Sequence, residues 1–272
     1  MQKPNKRLVG QTAIVTGGNG GIGSAVCHSL GLDGANVVIN YYSGVEEAEE
    51  LAHKICENNL AGQAIAIKCD TSKEEDVEKM FKQATNKFGT VDIVIPNAGI
   101  QIDAHLHEMT MKQWQTVIDV NLTGQFLCAR AGLQEFLRRG MRPEISKSLG
   151  KIIHMSSVHE IIPWAGHANY ASTKGAINML MQSIAQGYAP YKVRCNSIAP
   201  GAIQTPINKS AWNNEASMNK LMELIPYKRI GQPEDIGSVA AWLASDESEY
   251  INGTTIFVDG AMTCYPGFTE NG

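Results

Sequence analysis

This 272-residue chain lacks the marks of several large protein classes. Its six cysteines, at positions 27, 56, 69, 128, 195 and 264, form no Cys-x-x-Cys pair; this argues against structural zinc and fits reduced thiols in a cytoplasmic protein. No run of about 18 apolar residues occurs, so no membrane span is predicted. The polar stretch Met1–Arg7 enters the first strand without the apolar core of a secretory signal. Lys and Arg number 23 against 27 Asp and Glu, a net charge of −4, which leaves no basic footprint for nucleic acid. Two catalytic signatures are missing as well. The glycine-rich stretch lacks the Lys-Ser/Thr of a nucleoside triphosphatase loop, and there is no Gly-x-Ser-x-Gly elbow of a serine hydrolase. No break in composition divides the chain, so residues 1–272 read as one domain.

What is present is an alternation of short β-branched runs and longer stretches of helical period. Strands are predicted over 12–16, 36–41, 64–69, 92–96, 151–155, 194–199 and 254–258, and helices near 21–32, 44–59, 73–88, 110–138, 168–188 and 233–244. Thr71-x-x-Glu74 and Thr110-x-x-Gln113 both read as capping boxes. The runs "AIVT", "VVIN" and "IVIP" are apolar on both faces, as burial in a parallel sheet requires. The fold class is therefore α/β: a single doubly wound, Rossmann-type domain with a parallel sheet of about seven strands. Arg138–Gly150, basic and Pro-containing, reads as a solvated excursion, and 205–229, beyond a Pro-Gly turn, reads as a substrate lid or an ordinary helical excursion.

After the first strand comes "TGGNGGIG", Thr16–Gly23. Without Cβ atoms its backbone N–H groups can approach a phosphate closely, and the following helix N-terminus favours the negative charge. Two frames fit: Gly18-x-Gly20-x-x-Gly23, and Thr16-Gly17-x-x-x-Gly21-Ile22-Gly23. The first expects an acid at the end of strand two to hold a ribose 2′-hydroxyl. That strand ends "VVINYYSG", with neutral Tyr41, Tyr42 and Ser43 and no Lys or Arg, so NADP is permitted and NAD is not excluded. In the second frame Gly17, Gly21 and Gly23 are required, whereas Gly18 and Gly20 should tolerate Ala better.

Further along, "NYASTKG" sets Tyr170 and Lys174 four apart on one helical face. An ammonium beside a phenol favours the phenolate, moving the Tyr toward operating pH and making it a general base or acid. With eight tyrosines such a pair arises easily by chance, and a second, Tyr188 and Lys192, is interrupted by Pro190. Ser157, at the C-terminal end of a strand and thirteen residues before Tyr170, adds a hydroxyl that can stabilise charge on a substrate oxygen; period two alone leaves open whether Ser156 takes that role. The seven histidines, notably His105-x-His107-Glu108 and His154, His159 and His167, lack further ligands at metal spacing, so no metal is expected. Met179 and Met181 read as packing.

These motifs, in this order and spacing, resemble the short-chain dehydrogenase/reductase family over nearly the whole chain. The resemblance implies a catalytic set of Asn121 (in "DVNLTG", holding a water beside the lysine), Ser157, Tyr170 and Lys174. It also implies cofactor contacts at Gly17, Asn19, Gly21, Ile22, Gly23, Tyr41, Tyr42, Ser43, Asp70 and Thr71. Further contacts are implied at Asn97, Ala98 and Gly99 of "PNAG", where Pro96 replaces the family's usual Asn, and at Pro200, Gly201, Ile203 and Thr205 of "PGAIQT".

"MSSVHEIIPW", "YAPYKVRCNSIAPGAIQTPIN", "VAAWLAS" and the tail "DGAMTCYPGF" are similar to bacterial glucose 1-dehydrogenases within the family. This implies a homotetramer oxidising a sugar or polyol with NAD or NADP, the tail packing near a neighbouring subunit. It also implies a substrate pocket bordered by Gln101, His159, Glu160 and Trp164; those enzymes carry an acid where this chain has Gln101. Two alternatives stand beside this reading. One is an NADPH-dependent reductase of ketones or 3-oxoacyl thioesters; the other, a dinucleotide sensor without chemistry, is disfavoured because Ser157, Tyr170 and Lys174 are all present.

Overall fold

A computed structural model describes residues 6–58 and 62–264; residues 1–5 of the polar N-terminus and 265–268 of the tail motif lie outside the described residues. Seven strands, β1 (Thr12–Val15), β2 (Asn36–Tyr41), β3 (Ala64–Lys68), β4 (Ile93–Ile95), β5 (Gly150–Met155), β6 (Val193–Pro200) and β7 (Thr255–Val258), form one sheet in the order β3-β2-β1-β4-β5-β6-β7. All pairings are parallel. The order reverses between β1 and β4, and the crevice at that switch, outside the strands' C-terminal ends, is where ligands bind in such sheets.

Alternate residues feed two cores. Ala13, Val15, Val37, Ile39, Ile93 and Ile95 pack with helices α1 (Gly21–Leu32), α2 (Val45–Asn58) and α8 (Pro233–Ala244). Ile14, Val38, Val94, Ile152 and Cys195 pack with α3 (Glu74–Phe88), α5 (Gly124–Arg139) and α6 (Ala168–Tyr188). The unbroken apolar strands seen in the sequence follow from this covering of both faces. No helix among the described residues is long and apolar enough to cross a membrane.

Three local expectations need correction. The Thr110–Gln113 capping box forms at the start of α4 (Met111–Ile118). The one expected at Thr71 does not: α3 starts after Lys73, which makes no side-chain cap, and Thr71 is buried beneath Gly124. The helix predicted over 110–138 is three pieces, α4, a π turn at Asp119–Thr123, and α5. The stretch 138–150 is not merely solvated. Arg142 donates to Asp92 Oδ1 (2.6 Å) and to the Gly10 carbonyl (3.1 Å), and Ser146 to Asp246 (2.7 Å). Its charges thus close the N-terminal edge of the sheet, where the buried Lys151 donates to Gln11 and Ser146, each at 2.6 Å.

Candidate active site

The glycine loop is built by its second frame, with one exception. Gly17 (φ +58°) and Gly21 (φ +51°) adopt the left-handed conformation that disfavours side chains. A Cβ on Gly23 would stand 2.1 Å from the Gly17 carbonyl oxygen. Gly20, extended at the N-cap of α1, would direct a Cβ into open space, as expected. Gly18 departs from expectation: its Cβ would lie 2.9 Å from Cys27 Sγ and 3.0 Å from the Val15 carbonyl oxygen.

Side chains hold the loop in place. Thr16 Oγ1 accepts from the amides of Asn97 (2.9 Å) and Ala98 (3.0 Å), and Asn97 Nδ2 donates to the Thr16 carbonyl at 2.8 Å. Asn19 donates to the Ser43 (2.8 Å) and Gly44 (3.1 Å) carbonyls, tying the loop to the turn after β2. Asn40, which sequence reasoning missed, is buried in β2; its Oδ1 accepts from Gly17 N at 3.2 Å, and its Nδ2 donates to the Cys69 carbonyl at 3.1 Å. An amide closing the apolar run "VVIN" was the available signal. Tyr41 and Tyr42 follow it, with Lys68 of β3 in register beside Tyr41. Asp70 Oδ1 accepts from Ser72 N (3.0 Å) and Ser72 Oγ (2.7 Å).

Across the crevice, Ser156 and Ser157 follow directly on the C-terminal end of β5. The two serines differ: Ser156 Oγ donates to Glu160 Oε2 at 2.5 Å, whereas Ser157 Oγ accepts from His159 N at 3.2 Å and lies beside the Tyr170 phenol. Gln101 reaches the same phenol. Burial pushes the Tyr170 hydroxyl above its ordinary value, and the neighbouring polar groups of Ser157 and Gln101 oppose this without reversing it, so the shift is opposite to the expected one. Lys174 lies over the Tyr170 ring. Its Nζ lies 5.3 Å from the Tyr170 ring centroid and donates to the Met155 carbonyl at 2.8 Å, and burial lowers its pKa to about 8.

Asn121 is buried in the π turn, where its amide exchanges two hydrogen bonds with the Ile100 backbone (2.8 and 2.9 Å) and packs against Gly99. Glu160 is committed to Ser156 and, at 2.7 Å, to Asn178 Nδ2. Trp164 is sandwiched between His159 (ring centroids 4.2 Å apart) and His167 (3.5 Å), and both His159 and Trp164 meet Tyr170 edge-on at 6.3 Å. After β6, Ile203 and Thr205 are buried, and Thr205 Oγ1 lies 3.0 Å from Asn208 Oδ1. A Cβ on Gly21 would come within 3.3 Å of Thr205, so this segment faces the glycine loop. Among the described residues no three His, Cys, Asp or Glu side chains are gathered to hold a metal.

A glycine-lined loop at a helix N-terminus, a switch-point crevice and a Ser-Tyr-Lys cluster opposite it define a nicotinamide-dependent oxidoreductase of the short-chain type. The family model described as enoyl-(acyl carrier protein) reductase matches residues 17–263, and the chain belongs to the short-chain dehydrogenase/reductase family, enzymes that bind NAD(P) and act on CH–OH groups of small molecules. It is 45% identical over 261 residues to 3β-hydroxysteroid dehydrogenase 1 of Eggerthella lenta, covering 96% of this chain and 97% of that one. It is 40% identical over 266 residues to glucose 1-dehydrogenase 2 of Bacillus subtilis, covering 97% and 99%. Among solved structures it resembles a gluconate 5-dehydrogenase from Burkholderia cenocepacia in complex with NADP and tartrate (TM-score 0.86, 32% identity, 97% and 99% covered).

Proposed function

We propose that the chain transfers a hydride reversibly between a secondary alcohol, a sugar or polyol, and NADP or NAD. The observation that carries this is the Tyr170 phenol, met by Ser157 and Gln101 and underlain by Lys174. The residues present fit a dinucleotide: Gly17 and Gly21 keep side chains away from a phosphate, and nothing lies within 4 Å of where a Cβ on Gly20 would project. Gly17, Asn19, Gly21, Ile22 and Gly23 would line the pyrophosphate. Tyr41, Tyr42, Ser43, Asp70 and Thr71 would flank the adenosine, and Asn97–Gly99, Pro200, Gly201, Ile203 and Thr205 the nicotinamide half. The absence of an acid after β2, with Lys68 beside Tyr41, favours NADP or dual use. When bound, the oxidised nicotinamide supplies the hydride acceptor and a positive charge beside the phenol.

In the oxidative direction Tyr170 removes the hydroxyl proton and Ser157 donates to the substrate oxygen as charge develops. Lys174, as an ammonium, holds the nicotinamide ribose and lowers the phenol's pKa. Asn121, whose side-chain amide is pinned to the Ile100 backbone, would position the relay water. The segment 205–229, with α7 (Glu215–Glu223), acts as a lid over this crevice, and the enzyme assembles as a cytoplasmic homotetramer, the assembly that the resemblance to glucose 1-dehydrogenases implies.

A second substrate class, the hydroxysteroids, is favoured by a specific observation. The flat His159–Trp164–His167 stack stands edge-on to Tyr170, Ile161 and Ile207 are exposed apolar side chains, and Gln101 offers no carboxylate for sugar hydroxyls. The 45% identical relative is named for such a substrate. Steady-state rates with NAD and NADP on glucose, polyols and a 3β-hydroxysteroid, and with NADPH on ketones and a 3-oxoacyl thioester, separate these. Sugar oxidation supports the first reading and hydroxysteroid oxidation the second; turnover confined to ketones or thioesters rejects both.

A further inference from the structure

The buried polar groups beneath Lys174 have no part in the chemistry above, yet they converge on it. The Met155 carbonyl accepts from two side chains, Lys174 Nζ at 2.8 Å and Gln125 Nε2 at 3.0 Å. Gln125 therefore cannot be flipped without setting its oxygen against that carbonyl. Its Oε1 is left to meet His154 Nδ1 at 2.7 Å, so Nδ1 must carry the imidazole proton. His154 Nε2 is then a bare acceptor, buried and without a partner. Gln125, His154 and Lys174 are all almost wholly enclosed. A core that needed only volume at these positions would hold apolar residues, because buried amides and imidazoles are tolerated only when paired.

We propose that Gln125 and His154 are positioning residues for Lys174, acting through the Met155 carbonyl. His154 orients the Gln125 amide, Gln125 fixes the carbonyl, and the carbonyl sets the height of the ammonium beneath Tyr170. The charged or titratable groups facing this ammonium are Tyr170 on α6, Glu160 after β5 and His154 on β5. His154 stays neutral, its pKa lowered to about 3 by burial and by the nearby Lys174 charge, so the arrangement holds through the working pH range.

The inference rests on the role proposed for Lys174, and the two fail separately. Turnover surviving in Tyr170→Phe defeats that role; loss there beside an unaffected Gln125→Met defeats this one. Two readouts test it. In the cofactor-free protein, nitrogen-15 spectra of the histidine rings, with His154 assigned by its loss in His154→Asn, should show the Nδ1–H tautomer from about pH 5 to about pH 9. In steady-state oxidation, Gln125→Met should lower kcat about tenfold. It should also raise the pH at which kcat climbs by about half a unit or more, because a displaced ammonium stabilises the phenolate less. Should Gln125→Met fail to fold, Gln125→Glu keeps the His154 bond, loses the donor to Met155 while ionised and adds an anion, and it moves the limb the same way. A proton on Nε2 of His154, or a folded Gln125 variant whose kcat profile superposes on that of the parent, overturns the proposal.

Discussion

At the scale of single residues, the glycine loop separates conformational need from steric need. Gly17 and Gly21 are required by their positive φ, Gly23 by the Gly17 carbonyl that a methyl group would strike, and Gly18 by Cys27 pressing on it. Gly20→Ala is expected to cost under about 1 kcal/mol of stability, the loss of a favourable N-cap residue. Gly18→Ala should cost about 1–3 kcal/mol from overpacking, and Gly23→Ala at least the upper end of that range. Thermal unfolding of the three variants checks the order; a Gly18→Ala protein as stable as Gly20→Ala would contradict the close Cys27 contact. The pattern of glycines made the frame legible, but not Gly18, because the side chain pressing on it, Cys27, comes from the second turn of α1. Tyr170, Lys174 and Ser157 were legible only together with the other motifs and the family resemblance these carry, since the Tyr–Lys spacing alone arises by chance. Asn40, Gln125 and His154 were not, since an isolated polar residue in an apolar run does not say which backbone group it will meet in the fold.

At the scale of elements, the α4–π–α5 segment shows where periodicity stops being informative. A continuous helical period predicts a continuous helix, and one extra residue in a turn barely disturbs the pattern, yet it inserts the π turn that carries Asn121. The entry to this segment is a reciprocal cap between Thr110 and Gln113. Thr110→Ala is expected to destabilise the protein by about 1 kcal/mol, seen as a Tm lower by about 2–4 °C in a chain of this size; an unchanged Tm would mean that tertiary packing alone fixes α4. Thr71-x-x-Glu74 has the same letters and forms no cap. There, packing of Thr71 under Gly124 outweighs the local signal, which sequence spacing cannot reveal.

At the scale of the whole molecule, the parallel sheet and the two cores follow from alternating β and α segments whose strands are apolar on both faces, so the layers were legible, while the order of the strands was not. What also escaped was the charged edge beneath the sheet, because its partners are scattered from Gln11 to Asp246 along the chain. That edge bears on stability. Burial lowers the pKa of Lys151 from 10.5 to about 8. Between those values the unfolded chain binds more protons than the folded one, so this residue makes stability rise with pH across that window and contributes no slope below it. Lys151→Met should flatten that rise in denaturant titrations taken from pH 7.5 upward; an identical slope in parent and variant would contradict the burial argument. His154, lowered from 6.5 to about 3, has the same sign at acid pH, contributing a loss of stability as pH falls through that interval.

The central claim is that the crevice between the glycine loop and α6 performs hydride transfer through the Tyr170 phenol. Its most direct test is Tyr170→Phe, which removes one hydroxyl and keeps the ring between His159, Trp164 and Lys174. Turnover of the best alcohol substrate should fall by at least about a hundredfold, with the dissociation constant for NADP or NAD, read from cofactor fluorescence, unchanged within about threefold because the loop and helix that hold the pyrophosphate are untouched. A Tyr170→Phe protein that binds cofactor and turns over at a near-parental rate would contradict the account.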